Sequence, residues 1–529
     1  MTRLFGRIGP ATLCSLAAAC ASQSVAPSAT APTVPAVAAP AAPREAPKVV
    51  QGQGRLKVVP VEGAQSVAVR LLFYTGSIDD PVGKEGLTAL TAQLMAEGGT
   101  ASKTYPELLR ALYPMAANVS VHVDKEQTVF YGEVHKDKAQ DFLQIISEVI
   151  MAPAFNEAAF ARLKKDAIND IRSRLRGTDD ENLGKELLNL MLYQGEHPYG
   201  HFVGGTVQGL QRITLEEVKA HAQQVFGRQR LLIGLGGAVS MPIQTTAQEA
   251  FQSLSPGRAR VAEVFAAPAP ASNELWIVEK PSATAVAISM GYPHWSRRGH
   301  ADWPALALLQ SFIGEHRQFH GVLMDELREK RGLNYGDYAY AEAFTQEGWS
   351  RLPRTNTARR QQHFEVWIRP VAPEDAVFSL RLALLYLDRV LREGLSKEQV
   401  SSIRGFLKGY YNLFAMTPMR KLGYALDDDF YGTDRYLSSL SQQLDGLSAE
   451  QVNEVLRRHL VAQPLRIAMV APRAQDIIDA LTSDVEVGHR YSTKPSDEVL
   501  ADDRAAAQLA VPIGPSTMRV ISVDEIFER

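Results

Sequence analysis

The sequence predicts an α+β protein of two homologous domains, each a mostly antiparallel sheet with long helices packed on one face, arranged as a clam-like pair. The first observation is an internal repeat, because residues 128–175 and 364–414 both read as a strand followed by two long helices. The second is the alternation of strand pairs with helices, which is typical of the α+β class. A repeat of this length indicates a duplicated domain rather than a solenoid unit.

The repeat extends to a further helix and strand in each copy. In the first copy, helix 214–226 precedes the apolar strand 231–239. In the second copy, helix 448–460 precedes the apolar strand 465–470. Three helix starts carry the spacing of a capping box, in which two side chains bond the free amide groups. These pairs are Thr214 with Glu217, Ser396 with Gln399, and Ser448 with Gln451.

The domain boundaries follow from composition and from the repeat. Prolines interrupt an Ala-rich stretch between about 255 and 272, which separates a first domain, 51–260, from a second domain, 272–487. Each domain is predicted to begin with two strands and a helix: 56–61, 66–74 and 83–97 in the first, and 274–279, 285–292 and 301–313 in the second. Residues 488–529 have no counterpart in the first copy and are predicted to form a meandering C-terminal extension.

The N-terminal segment predicts export. Arg3 and Arg7 precede a short apolar stretch that ends in Ala17-Ala18-Ala19-Cys20, as in a lipoprotein signal peptide spanning 1–20. Cleavage there would leave Cys20 lipidated, although Leu16 stands four rather than three residues before it. The alternative is a plain secretory signal. Either predicts an exported protein at the periplasmic face of the cell envelope, and lipidation adds a membrane anchor.

Composition narrows the remaining classes. Residues 21–50 are rich in Ala and Pro with almost no charge, which is typical of a disordered tether. The net charge of -3 and the lack of a Lys/Arg stripe argue against a nucleic-acid partner. Cys14 and Cys20 are the only cysteines, so the folded body has neither disulfide nor thiol chemistry.

Two segments carry a family resemblance. Gly76 to Leu87 reads G-S-I-D-D-P-V-G-K-E-G-L and is followed by a helix, and Gly195 to His201 reads G-E-H-P-Y-G-H. From Gly54 to about residue 480 this order resembles the insulinase/pitrilysin family of zinc peptidases, the inverzincins. The resemblance implies a helix with H-x-x-E-H, in which two histidines bind zinc and the glutamate is the general base. It also implies a distal glutamate ligand in the second long helix.

The zinc motif is absent from this chain. The two histidine positions are Ala89 and Gln93, the base position is Ala92, and the distal position falls on Asn169, beside Asp170. Alanine offers no lone pair and a neutral amide is a poor zinc ligand. The sequence therefore predicts that this chain binds no metal or other cofactor, and that it is inactive as a peptidase when alone.

Other candidate sites are rejected on the sequence. His316 and His320 stand one turn apart but have no evident third ligand. Asp427-Asp428-Asp429 lacks the spacing of a calcium loop and is interpreted as a solvated face. Gly234 to Gly237 lacks the third glycine of a nucleotide-binding fingerprint.

A second family motif is intact. Residues 327–335 read L-R-E-K-R-G-L-N-Y, which is similar to the family's L-R-x-x-x-G-L-x-Y. The resemblance implies that Arg328 and Tyr335 hold the substrate and stabilise the transition state at the zinc of an opposite domain. A guanidinium and a phenol suit those tasks. The alternative is a helix end, in which Gly332 is the left-handed cap and Lys330 and Arg331 complement the helix dipole.

The resemblance implies a function for a chain with only this half of the site. It would be the non-catalytic subunit of a heteromeric zinc metallopeptidase, paired with a homologous chain that has an intact H-x-x-E-H and supplies the zinc. Their shared substrate would be an unfolded peptide. The alternative is a stand-alone peptide-binding or scaffold protein with no proteolytic role.

Overall fold

The computed structural model describes residues 48–50, 52–262, 267–318, 320–348, 350–483 and 487–529. The predicted signal peptide with Cys20, and most of the predicted tether, lie outside the described residues. The strands are β1 (Lys48–Val50), β2 (Arg55–Pro60), β3 (Ser66–Phe73), β4 (Ser120–Val123), β5 (Thr128–His135), β6 (Leu231–Gly237), β7 (Arg260–Ala262), β8 (Glu274–Glu279), β9 (Val286–His294), β10 (Asp337–Tyr340), β11 (Gln362–Val371), β12 (Arg466–Ala471) and β13 (Met518–Ser522).

The helices of the first domain are α1 (Leu87–Glu97), α2 (Tyr105–Leu112), α3 (Ala139–Met151), α4 (Glu157–Asn169), α5 (Arg176–Thr178), α6 (Asp180–Leu192), α7 (Val207–Arg212), α8 (Leu215–Val225) and α9 (Met241–Ala250). Those that follow are α10 (Trp303–Gly314), α11 (Ala376–Glu393), α12 (Lys397–Phe414), α13 (Pro418–Tyr431), α14 (Tyr436–Asp445), α15 (Ala449–His459), α16 (Ala474–Thr482) and α17 (Asp497–Ala507). Two π-helical turns, Asp170–Leu175 and Met324–Glu329, interrupt this pattern. None of the described helices is both long and apolar enough to cross a bilayer.

The two sheets repeat one topology, which confirms the predicted duplication. The first has the order β2-β6-β3-β5-β4, and the second begins with the equivalent β8-β12-β9-β11-β10. In each, one pair is parallel, β2 with β6 and β8 with β12. The remaining neighbours among these ten strands pair antiparallel, as the α+β prediction requires. The three capping boxes also form as predicted.

Each sheet packs its own helices on one face and a helix of the other domain on the opposite face. Leu422 and Leu426 of α13 pack against Ala68 and Leu72 of the first sheet. Reciprocally, α6 packs its leucines against the second sheet, where they join the cluster of Val278, Ala287, Ala468 and Val470. Because each domain covers the other's sheet, neither can bury its apolar surface without its neighbour.

The glycine-rich strand β6 is explained by this exchange. A Cβ atom at Gly234 would lie 3.1 Å from the side chains of Leu422 and Leu426. At Gly236 it would lie 3.1 Å from Leu422 Cβ. The glycines therefore allow α13 to approach the sheet closely, and the rejection of a nucleotide-binding loop agrees with their position in a strand.

A buried polar turn joins the two domains. Asp124, between β4 and β5, accepts bonds of 2.8 and 2.7 Å from the guanidinium of Arg359 in the second domain. Both side chains are less than a tenth exposed. Burial opposes ionisation, but the Arg359 guanidinium holds the pKa of Asp124 below its ordinary value. The pair therefore forms a charged contact at the centre of the interface.

The interpretation of Asp427 to Asp429 as a solvated face was wrong. Asp427 and Asp428 are buried, and Asp427 accepts a 3.0 Å bond from the side chain of Asn356. Asp429 accepts bonds of 2.7 Å from Tyr74 and Arg55 in the first domain. A run of carboxylates is predicted to be solvated when no cationic partner stands near it in the sequence. Here Arg55, the cationic partner of Asp429, stands 374 residues earlier.

The C-terminal extension is more regular than predicted. Helix α17 packs on α11, and β13 adds a sixth, parallel strand beside β8. The last residues return to the first domain, where Phe527 accepts a 3.0 Å backbone bond from Val207 and Ile526 accepts a 2.7 Å bond from Arg176. The extension therefore fastens the two domains together instead of meandering over the surface.

Candidate functional site

A cleft of about 450 Å³ separates α1 from α4 in the first domain. Helix α1 begins at Leu87, later than predicted, because the carboxylate of Asp80 accepts bonds from the backbone of Gly86 and Thr88 and fixes the preceding loop. From α1, the side chains of Ala89, Gln93 and Glu97 line the cleft. The two helices that the resemblance assigns to zinc therefore do face one another.

The four positions that correspond to the family's zinc ligands and base lie in different surroundings. Ala89 and Gln93 line the cleft, but Ala92 is fully buried and packs in the core beneath the first sheet. Asn169 is exposed and is not among the lining residues, whereas Asp166 and Asp170 are. Helix α4 ends at Asn169 and becomes a π-helical turn, which shifts the face that each following residue presents.

Arginines neutralise the carboxylates of this cleft. Arg162 lies 3.3 Å from Glu97 on α1 and 3.3 Å from Asp166 on its own helix, so it bridges the two helices. Asp170 accepts a 2.8 Å bond from Arg174. These pairs are partly exposed, and each contributes only a fraction of a kcal/mol up to about 1 kcal/mol.

These residues do not fit a zinc ion. Ala89 presents a methyl group, Gln93 presents an amide that donates to Glu97, and the nearby acids are engaged by arginines. Within the described part of the chain, no group of three or more His, Cys, Asp or Glu side chains is placed to hold a metal. His316 and His320 also diverge, since His316 bonds to Tyr340 and His320 packs on the ring of Phe406.

A groove adjoins the cleft along the edge of the first sheet. It measures about 310 Å³, and Gln93 and Glu97 line both spaces. We call it the β4 groove; its apolar floor is formed by Leu108, Leu112, Ile145 and Val149, and its wall by residues 118–121. Strand β4 is the last strand of its sheet, so its outer backbone edge faces this groove's side of the molecule.

Arg328 and Tyr335 lie on the surface of the second domain. Arg328 is in the π-helical turn Met324–Glu329 and donates a 2.8 Å bond to Glu329. The ring of Tyr335 is 81% exposed, which is unusual for a large aromatic side chain. All residues lining the α1–α4 cleft and the β4 groove belong to the first domain. The chain therefore does not bring Arg328 and Tyr335 into its own cleft.

The helix-end interpretation is correct for Gly332 and wrong for Arg331. Gly332 has φ of +68° and its amide donates to the Arg328 carbonyl at 2.7 Å, as in a left-handed helix cap. Arg331, however, is buried and donates a 2.8 Å bond to Asp503 of the C-terminal extension. It therefore anchors the extension, a contact that the internal repeat could not predict because the extension has no counterpart in the first domain.

Asn334 and Asp337 hold the loop that presents Tyr335. The Asn334 side chain donates to Asp337 at 2.7 Å and to the Arg369 carbonyl at 3.0 Å, and it accepts from the Gly336 amide at 3.0 Å. Asp337 is fully buried, and burial raises its pKa to about 8. Neither residue was identified as functional from the sequence, although Asn334 lies inside the L-R-x-x-x-G-L-x-Y motif.

Comparison with known proteins gives the family. Residues 58–196 match the model of the insulinase peptidases, family M16, and residues 212–405 match that of the M16 inactive domain. An uncharacterized zinc protease of Bacillus subtilis, YmxG, is 20% identical over 410 residues, covering 77% of this chain and 93% of that protein. The non-peptidase homolog YmxG of Helicobacter pylori is 20% identical, with 77% and 89% covered.

Solved structures share the fold. A peptidase M16 inactive domain structure from Pseudomonas fluorescens has a TM-score of 0.70 at 22% identity, covering 81% of this chain and 98% of that one. A chain of complex III2 from Candida albicans has a TM-score of 0.60 at 11% identity, with 80% and 94% covered. This chain therefore belongs to the insulinase family, peptidase family M16, as a member with Ala89, Ala92 and Gln93 at the positions of the zinc motif.

Proposed function

We propose that this chain is the non-catalytic subunit of a heteromeric zinc metallopeptidase that degrades peptides. The partner would be a homologous chain with an intact H-x-x-E-H, and the zinc would be the partner's. One observation carries the proposal. The first domain has lost every side chain of the zinc motif, while the second retains Arg328 in a π-helical turn and Tyr335 in an ordered surface loop.

The position of these two residues favours action on another chain. No described residue of the second domain lines the cleft or the β4 groove of the first. A substrate held by a partner could instead contact Tyr335, which is exposed, and Arg328, which is partly exposed beside Glu329; the guanidinium and the phenol could donate to a carbonyl oxygen. Among the relatives, a probable mitochondrial-processing peptidase subunit beta of Arabidopsis thaliana, 21% identical, is named as a subunit.

The first domain would contribute peptide binding. An extended peptide can add to a sheet edge through backbone bonds, while pockets select its side chains. Strand β4 offers such an edge, and the apolar floor of the β4 groove lies beside it. The absence of a water-activating group there would leave a bound peptide uncleaved until it reaches the partner.

We further propose that the protein works outside the cytoplasm, at the periplasmic face of the cell envelope, with Cys20 as its lipid anchor. The support is the signal-like segment that ends at Cys20 and the Ala/Pro-rich tether that follows it. Labelling cells with a radioactive fatty acid would test the anchor, which predicts label on the native chain and none on Cys20→Ser.

Reconstitution tests the main proposal. A homologous chain with intact H-x-x-E-H from the same organism would be co-expressed with this one, purified through a tag on this chain, and assayed on an unfolded peptide. We expect a stable pair in which zinc is stoichiometric with the partner, and in which cleavage needs both chains. Full activity of the partner alone, or failure of the two to associate, would contradict the proposal.

The scaffold alternative has its own support. The Candida albicans complex III2 chain shares the fold, and the Helicobacter pylori relative is named a non-peptidase homolog. In that case the chain would bind peptides or neighbouring subunits through the same surfaces without any effect on proteolysis. The reconstitution separates the two, since a scaffold would associate without changing the partner's turnover.

A further inference from the structure

A further pocket of the first domain, separate from the cleft and from the β4 groove, is lined by arginines. It has a volume of about 270 Å³ and lies where the chain leaves the first domain after α9. Among the described residues, its charged lining consists of Arg230, Arg258, Arg260 and Asp79. Like charges in one partly enclosed space repel one another, so such a group needs an anion to offset it.

Asp79 is shared among these arginines. It accepts a 2.7 Å bond from Arg230, whose side chain is almost fully buried, and lies 3.9 Å from the mostly exposed Arg258. Arg230 also donates at 2.8 Å to the backbone carbonyl of Arg258, so its guanidinium is held at two points. Burial lowers the pKa of Arg230, and Arg260 and Arg258 lower it further by repulsion.

The other carboxylate nearby is also shared. Glu126 accepts a 2.7 Å bond from Arg260 and is paired with Arg360 as well. Among the described residues, four guanidinium groups therefore share two carboxylates as direct ion-pair partners. The adjacent Asp80 accepts its bonds from the start of α1 and lies beside His201 instead of bonding to these arginines.

We propose that this arginine pocket binds an oxyanion of the phosphate class. A phosphate monoester carries a charge of about −1.5 to −2 at neutral pH and would supply negative charge that the shared carboxylates do not. Guanidinium groups bind phosphate oxygens with paired, charge-assisted hydrogen bonds. Arg258 is the arginine best placed to move toward the anion, since its side chain is largely exposed and lies 3.9 Å from Asp79.

The location of the pocket suggests two sources for the anion. Arg260 is the first residue of β7, which pairs with β1, the strand formed by the last three residues of the predicted tether. The pocket therefore opens near the place where the N-terminal segment joins the folded body. The phosphate could belong to a free solute or to a phospholipid headgroup, and both present the same chemistry to the arginines.

Isothermal titration calorimetry with inorganic phosphate tests the pocket. We expect one saturable site on the full-length chain, weakened at least about tenfold in Arg258→Gln because a charge-assisted bond is lost. The matched control is Arg473→Gln, which removes an equally exposed arginine on the second domain. Equal melting temperatures would show that each variant is folded.

Sedimentation with lipid vesicles identifies whether the bound phosphate is a free solute or a phospholipid headgroup. The chain carrying Cys20→Ser, so that no anchor contributes, would be sedimented with phosphatidylglycerol or phosphatidylcholine vesicles. Binding to the anionic vesicles that phosphate displaces and Arg258→Gln abolishes supports a headgroup, and calorimetric binding without vesicle association supports a free phosphate. Absence of saturable phosphate binding, or equal affinity in Arg258→Gln, would overturn the proposal and would leave the proposed role of Arg328 and Tyr335 unaffected.

Discussion

The two domains carry equivalent clefts with different linings. In the first, α1 and α4 enclose a space lined by Gln93, Arg162, Asp166 and Asp170. In the second, the equivalent α10 and α12 border a space of about 520 Å³ whose apolar lining is Phe312, Ile403 and Phe406. The five strands that the two sheets share have the same order in both domains, yet the linings of the clefts differ.

The comparison separates what a fold preserves from what a site requires. A backbone topology tolerates replacement of side chains at a cleft, because the apolar core beneath it holds the helices in place. A site needs particular donors at particular positions, and their loss leaves the helices unchanged. The first domain therefore retains a cleft without zinc ligands, and the second presents Arg328 on a π-helical turn and Tyr335 on a surface loop instead of in a cleft.

Restoring zinc to the first cleft should have the largest effect. We expect the variant Ala89→His, Gln93→His, Asp170→Glu to bind zinc, because all three positions line one cleft. Ala92 is left unchanged in this test, since a glutamate there would be buried in the core. Elemental analysis after dialysis would measure the zinc, with approximately one ion expected per chain and none in the native protein.

The same experiment has a matched control for the distal ligand. Asn169→Glu in place of Asp170→Glu should leave zinc weakly bound, because Asn169 does not line the cleft. Stronger binding by the Asn169→Glu variant would show that the π-helical turn does not determine which residue faces α1.

Breaking the contact between the domains should have the next largest effect. Asp124→Asn removes the charge that the buried Arg359 needs, so the free energy of unfolding should fall by about 3 to 5 kcal/mol. Urea denaturation followed by circular dichroism would measure it. The control is Asp445→Asn, at the exposed pair with Lys408, where the loss should stay below about 1 kcal/mol.

Removing the phenol of the surface loop should reduce catalysis by the assembled pair. If Tyr335 donates to a developing oxyanion, Tyr335→Phe should lower turnover on the order of a hundredfold without weakening assembly. Arg328→Ala should in addition raise the Michaelis constant, because a guanidinium also helps to bind substrate. Tyr113→Phe, at another exposed tyrosine, serves as the control. Unchanged turnover in both variants would favour the scaffold alternative.

The smallest change expected per pH unit is in the free energy of unfolding, and it arises from Asp337 in the loop beneath Tyr335. The pKa of Asp337 is raised to about 8 by burial, with Arg328 and Arg369 opposing the shift, so the folded state holds a proton that the unfolded state loses near pH 4. Its contribution to stability is present below pH 4 and is lost as pH rises toward 8. Asp337→Asn should therefore gain stability relative to the native protein across this range, on the order of 1 kcal/mol per pH unit at most. Thermal denaturation at several pH values would measure the difference, and a constant difference would contradict the assignment.

Much of the fold was predictable because it depends on local patterns. The strand 274–279 and the three capping boxes were predicted at the residues where they occur. Apolar periodicity and cap spacing are set by neighbouring residues, and the duplication could be read as a repetition of those patterns. The start of α1 was predicted four residues early. The backbone amides of Gly86 and Thr88 donate to Asp80, and these bonds exist only in the folded loop.

The sequence alone determined which side chains exist at the former zinc motif, and so that the chain lacks its donors. Only the tertiary structure decided that Asp170 lines the cleft and Asn169 does not, that Asp427 and Asp429 are engaged by residues distant in sequence, and that each domain covers the other's sheet. The physical reason is the range of the interactions. Donor chemistry belongs to a single residue, whereas the face that a side chain presents depends on the course of its helix, and the partner of a buried charge can lie hundreds of residues away and is brought close only by folding.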